Sequence, residues 1–333
     1  MRKTMRFFGS ICMMGAMALL VSSCMKTDEK ADMTIGLPTF EEVNGEPNEV
    51  DRLYVDFADG NKFKWNANDE VMVYNLDAAN GENTVKAVYS TNAAAEGQTT
   101  AHFTGDDMGD KMDHFFFFYP ASKVNTEGLD HDNYETFTVP AEQTYTLVNG
   151  NPTVDPNSLA AACEVNSIGQ ALTLKHIFGI CRLKLKGTKT VSSIVLHDNA
   201  YGLAGQVSMK LHAVQMGKFS QLLDEYTLVQ DGSPELNASF VEDWYNYSKD
   251  LGYNAKPTGN EITLNCPNGV QLNSSTQTLF YIAVRPGAFI KGFTITVNFT
   301  DGTNAVINNY ANPKNSYKIK PGTITGFAPA QVL

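Results

Sequence analysis

Residues 114–119 read HFFFFY. In an extended strand successive side chains point to opposite sides, so Phe115, Phe117 and Tyr119 face one way and Phe116 and Phe118 the other. Both faces are large and apolar. A strand on an open sheet surface would leave one of them in water. The run therefore predicts a central strand, its outer face covered by a loop or by the other half of the chain. An exposed aromatic face on which sugars stack is the functional alternative for the same residues.

The chain keeps this strand rhythm on either side. KFKW (62–65) and EVMVY (70–74) flank the turn-like Asn66-Ala67-Asn68-Asp69 as a hairpin-like pair. TVKAVY (84–89), AHFT (101–104) and YETFTV (134–139) lie nearby. QALTLKHI (170–177), ICRLKLKG (180–187), VSSIVL (191–196) and GQVSMKL (205–211) follow. EITLNC (261–266), TLFYIAV (278–284), GFTITVNF (292–299), NAVINN (304–309), SYKIK (316–320) and TITGF (323–327) complete the series. Short alternating runs split by Gly, Asn, Asp and Pro predict an all-β protein built of β-sandwiches. Helical spacing occurs once, in SFVEDWYNYSKDLG (239–252), where Phe240, Trp244, Tyr247 and Leu251 share a face and Ser239 with Glu242 forms a capping box. That helix is expected to pack on a sheet.

The length supports two domains. The stretch 149–169, NGNPTVDPNSLAAACEVNSIG, is rich in small and turn residues and supplies the boundary, near residue 165. Asp155-Pro156 within it is suited to opening a short helical turn. The expected division is 1–23 signal peptide, 24–32 linker, 33–165 N-terminal sandwich and 166–333 C-terminal sandwich.

The N-terminus carries a basic head (Arg2, Lys3, Arg6), an apolar run from Phe7 to Val21, and Ser22-Ser23-Cys24. This is the pattern of a secretory signal. The run is too short for a membrane span, which needs about 20 apolar residues. Small residues followed by cysteine look like a lipobox, with cutting before Cys24 and lipid on its thiol. An ordinary signal peptide that happens to contain a cysteine is the bland reading. Asp28 and Glu29 resemble the acidic tag that sends some lipoproteins to the outer face of the outer membrane. Formal charge is −11, and loss of the three basic residues makes it −14. Such acidity disfavours nucleic acid as a partner.

Signals of enzymatic chemistry are lacking. No zinc-protease spacing, nucleophile elbow or Gly-rich phosphate loop occurs. No catalytic residue, cofactor or metal site is assigned. GDDMGDKMD (105–113) clusters carboxylates without the ordered spacing of a calcium loop. His176 reads as a core histidine with a backbone partner. Cys163, Cys181 and Cys266 remain after Cys12 and Cys24 are set aside; they are odd in number and form no disulfide framework.

Several blocks in order resemble the fimbrillin family, the lipoprotein pilins of type V fimbriae. They are FADGNKFKWNANDEVMVYN (57–75), FFFFYPASKV (115–124), FTVPAEQTYT (137–146), LTLKHIFGICRLKLKG (172–187), LAGQVSM (203–209) and FYIAVRPGAFIKGFTITVNFTDG (280–302). The resemblance implies two transthyretin-like β-sandwich domains and a non-enzymatic subunit of surface fimbriae that contributes to adhesion. Its partners would be other fimbrial subunits, the outer membrane through the lipid, and a host or bacterial surface ligand. It implies removal of the first strand by an arginine-specific protease, after which a strand of another subunit fills the groove.

In NEVDRLYVDF (48–57) the bond between Arg52 and Leu53 fits that cut, following a candidate first strand MTIGLPTF (33–40). Arg182 and Arg285, the other arginines beyond the signal, lie in predicted strands and are expected to be shielded. The family often has a small or hydroxylated residue where Leu53 stands, and Glu49, Asp51 and Asp56 surround the site. Arg52 reads equally as a strand-end charge. The donor would be the tail TITGFAPAQVL (323–333), in which Ile324, Gly326, Ala328, Ala330 and Val332 share one parity. Pro329 removes a donor and needs an edge or bulge. A final strand completing its own domain is the alternative, and a monomeric lipid-anchored adhesin or glycan-binding lipoprotein is the competing function.

Overall fold

A computed structural model describes residues 31–36, 41–43, 64–75, 85–95, 97–106, 115–123, 134–148, 150–165, 172–200, 202–210, 253–254, 259–289, 291–310 and 317–332. These residues are nearly all β, with three single-turn 3-10 segments and no α-helix among them. The strands begin with β1 (Ala31–Gly36), β2 (Glu41–Val43), β3 (Glu70–Asn75), β4 (Val85–Ser90), β5 (Thr100–Gly105), β6 (Phe115–Tyr119) and β7 (Tyr134–Val139). Next come β8 (Glu142–Thr144), β9 (Thr146–Val148), β10 (Asn151–Thr153), β11 (Ala161–Val165), β12 (Leu172–Thr173), β13 (Lys175–His176), β14 (Gly179–Lys186), β15 (Thr190–Asp198) and β16 (Gly205–Lys210). The rest are β17 (Tyr253–Asn254), β18 (Glu261–Gln271), β19 (Thr278–Val284), β20 (Gly287–Ala288), β21 (Gly292–Phe299), β22 (Asn304–Tyr310), β23 (Lys318–Ile319), β24 (Thr323–Gly326) and β25 (Ala330–Gln331).

An eight-stranded sheet runs β12-β1-β5-β4-β3-β6-β11-β13. The aromatic run Phe115–Tyr119 is its β6, paired antiparallel with β3 on one side and β11 on the other. Phe115 to Phe118 are all fully buried, so the sugar-stacking alternative for this face is excluded. Phe115 and Phe117 join a small core with Trp65, Val71, Val73 and Phe103. Phe116 and Phe118 face a larger core that also holds Phe137, Ile177 and the inner residues of the later sheets. One strand thus separates two apolar cores.

Two five-stranded sheets face each other across the larger core. One runs β19-β14-β24-β2, with β25 also paired to β14; the other runs β22-β21-β15-β18-β8. Cys181, Leu183 and Leu185 of β14 and Phe280 and Ile282 of β19 meet Ile194, Leu264, Ile295 and Val297 of the facing sheet. The alternating burial of β15 and β21 is what one inward face and one wet face require. Sheet membership does not follow chain order: β7 pairs with β16 and β8 with β18, while β12 and β13 belong to the eight-stranded sheet.

Two expectations change. Of KFKW, the described Lys64 and Trp65 do not pair with EVMVY: residues 64–66 are not strand, the backbone N–H of Trp65 donates to Gln98, that of Gly97 donates to Trp65, and β3 pairs with β4 and β6. The turn between them is tight, with Asn68 left-handed at φ 62° and the Asn66 N–H bonded to the Asp69 carboxylate. Second, the turn-rich stretch 149–169 contains β10 and β11, and β11 is an interior strand. Ala161, Ala162 and Cys163 lie opposite Tyr119, Phe118 and Phe117; small residues fit there because their partners are so large. The turn expected at Asp155-Pro156 forms, as a 3-10 segment capped by the Asp155 side chain on the Asn157 N–H. The helix expected at 239–252 lies outside the described residues, as does most of the acidic loop at 105–113.

Candidate functional site

The described residues before Arg52 form two strands, β1 and β2. β1 lies inside the eight-stranded sheet, antiparallel to β5 at six register positions and parallel to β12 at two. β5 meets its other neighbour, β4, at a single position, Ser90 opposite Thr104. Most of the sheet pairing of β5 therefore comes from β1. β5 buries alternate residues, Ala101, Phe103 and Gly105, and the register sets Ile35, Met33 and Ala31 opposite them. A strand occupying this position needs small or apolar residues at alternate places.

The tail lies against β14 of its own chain. β24 pairs in parallel with it, Ile324 opposite Ile180 and Gly326 opposite Arg182. β25 pairs likewise, with Ala330 opposite Leu185. Between these two stretches the register advances by one residue. That offset is a bulge at the exposed Ala328-Pro329, where proline offers no N–H. It splits the stripe of single parity expected from the sequence. Ile324 is buried with Ile180, Tyr281, Ala283 and Val154 on the outer face of the sheet. Val332, and in part Ala330, enter the main core on the opposite face.

Phe327 anchors the tail at this crossing point. Its ring packs among Phe293, Tyr317 and Phe289, and its N–H donates to the Arg182 carbonyl at 2.9 Å. Further along, the Val332 N–H donates to Lys186 at 2.8 Å. Beside the tail an apolar cleft of about 180 Å³ opens between β14, β21 and β22, lined by Leu183, Leu185, Phe293, Ile295, Ile307 and Ala330.

β19, at the other margin of the tail's sheet, is met by a side chain that sequence reasoning missed. Buried Gln143 donates from Nε2 to the Ala283 carbonyl at 2.7 Å and accepts the Ala283 N–H on Oε1 at 2.9 Å. One amide side chain thus does what a neighbouring strand would do. The signal available in the sequence was the Pro140-Ala141-Glu142-Gln143 run, whose glutamine alternates with two exposed polar residues.

Of the other site residues, Cys24, Arg52 and Leu53 lie outside the described residues, as does Trp244. Arg182 and Arg285 are 2% and 3% exposed, and the Arg285 guanidinium donates to the Gly202 and Pro286 carbonyls. His176 is buried and its backbone partner is Ala160; burial holds its imidazole well below the usual value. Cys163, Cys181 and Cys266 are buried and none is in a disulfide; burial pushes Cys266 up to about 12.

No protein-family model matches the sequence, and no curated protein is similar to it in sequence. Among solved structures the chain is similar to a candidate cell adhesion protein from Bacteroides ovatus, with a TM-score of 0.43 and 11% identity over 90% of this chain and 93% of that one. Another from Bacteroides uniformis gives 0.42 and 14%, over 79% and 88%. A fimbrial protein from Bacteroides ovatus gives 0.37 and 11%, over 92% of this chain and 50% of that one.

Proposed function

We propose that this chain is a structural or accessory subunit of cell-surface fimbriae, anchored by lipid at Cys24 and assembled by strand exchange after cutting between Arg52 and Leu53. The observation that carries the reading is the position of β1: it supplies six paired positions to β5 where β4 supplies one. Its loss would bare a six-residue sheet edge beside buried Ala101 and Phe103, an acceptor for an added strand. The tail is the donor in this reading, with small and apolar residues at Ile324, Gly326, Ala328, Ala330 and Val332. The burial of Arg182 and Arg285 favours Arg52 as the arginine a protease meets first.

The test is N-terminal sequencing of material treated with an arginine-specific protease. Polymers whose subunits begin at Leu53, absent from an Arg52→Ala variant, are expected. Full-length monomers in both preparations would overturn the reading. The pairing of the tail within its own chain favours a second reading, a monomeric lipid-anchored adhesin that binds glycan through Trp244. Glycan binding by the uncut monomer, lost in Trp244→Ala, would support that reading.

A further inference from the structure

The segment upstream of Arg52 reaches both sheets. Beyond β1, with only four residues between Gly36 and Glu41, β2 lies along the outer edge of β24. Glu41, Glu42 and Val43 stand opposite Thr323, Ile324 and Thr325 in parallel register. β24 is otherwise paired with β14, at three positions. With β2 in place β24 is an interior strand of the order β19-β14-β24-β2; without it β24 is the sheet edge.

Resting on the proposed removal of residues before Leu53, we infer that this segment is a double lock: β1 fills the acceptor slot while β2 caps the donor tail of the same molecule. Both strands lie on one side of the Arg52–Leu53 bond, so a single cut severs both from the rest of the chain and lets them leave together. Before it, withdrawing the tail breaks backbone pairing on two sides of β24. Afterwards it breaks pairing on one side only. An uncut subunit therefore neither accepts nor donates, and a cut one becomes competent for both at once. Fimbriae assembled in this way cannot be started or extended by an uncut subunit.

Hydrogen exchange on the full mature chain, before and after cutting at Arg52, tests the lock. Amides in 100–105 and in 323–326 are both expected to exchange at least tenfold faster after the cut, an order-of-magnitude figure for loss of a strand partner. Proline substitutions separate the two arms in uncut protein. Glu41→Pro and Glu42→Pro are made separately, because alternate residues of a parallel strand bond to a given neighbour. At least one should open 323–326 and leave 100–105 protected. Thr34→Pro should do the reverse. If cutting opens 100–105 alone, or if both β2 variants leave 323–326 as protected as in the parent, the lock is wrong while strand exchange through β1 stands. Opening of both windows without polymer supports the lock and counts against the fimbrial reading.

Discussion

Phe327 stacks on Phe293, with ring centroids 4.4 Å apart and ring planes within 16°. The contact joins the tail, which belongs to one sheet, to β21 of the facing sheet. Tyr317 and Phe289 close around the same ring. Docking of the tail in its own chain thus depends on this ring as well as on backbone pairing. Phe327→Ala is expected to cost about 3–5 kcal/mol, the usual range for emptying a buried aromatic site. Denaturant unfolding measures the loss, and early proteolysis near residues 323–332 would locate it in the tail.

Gly187 sits where the tail ends. A Cβ added there would meet the Val332 backbone oxygen at 2.6 Å and Leu272 Cδ1 at 3.0 Å. The backbone of Val332 cannot swing aside as a side chain would. Gly187→Ala should therefore lower stability by about 1–3 kcal/mol through overpacking and loosen the last residues. Faster trimming by carboxypeptidase, with the remainder of the exchange pattern unchanged, is the expected result.

Gln143→Ala removes both hydrogen bonds to Ala283 and leaves a buried N–H and C=O unmet. A cost of about 1–3 kcal/mol is expected. Gln143→Glu keeps the acceptor for the Ala283 N–H but loses the donor to its carbonyl, so it should not restore parent stability. Thermal melts of the two variants beside the parent decide this.

His176 makes stability depend on pH in a stated direction. Burial lowers its affinity for a proton, and the hydrogen bond to the Ala160 backbone only partly opposes this. The unfolded chain takes up that proton near the ordinary value of 6.5. The contribution is therefore intact above that pH and is lost as pH falls from there toward the folded value, by at most about 1.4 kcal/mol per pH unit. Melting temperatures from pH 7.5 down to 5 should fall in the parent, and fall less in His176→Gln.

The sequence announced much of this fold through alternation. GFTITVNF carries its inward face openly, TLFYIAV is an apolar run buried on both faces, VSSIVL alternates beyond a bulge near Val191, and all became strands. AACEV gave no such signal, because alanine and cysteine have little strand preference of their own; their place in β11 is fixed by the phenylalanines across from them. The tail was legible as a strand with a break at Pro329, but not as a strand that changes face there, since a one-residue offset against β14 is a property of the pair. β2 was invisible for a similar reason: EEV has no apolar alternation, and its partner lies at the far end of the chain.

Making this protein carries a hazard that follows from β6. Until β3 and β11 have both closed on it, the chain displays five aromatic residues in succession without a proline or a charge among them. Such a window pairs readily with its own copy in another chain. Its two partners come from opposite sides of it in sequence, so the window stays open until the chain beyond residue 165 has been made. Expression that outruns this closure should fill the insoluble fraction, and slower synthesis or lower temperature should recover folded protein from the same gene.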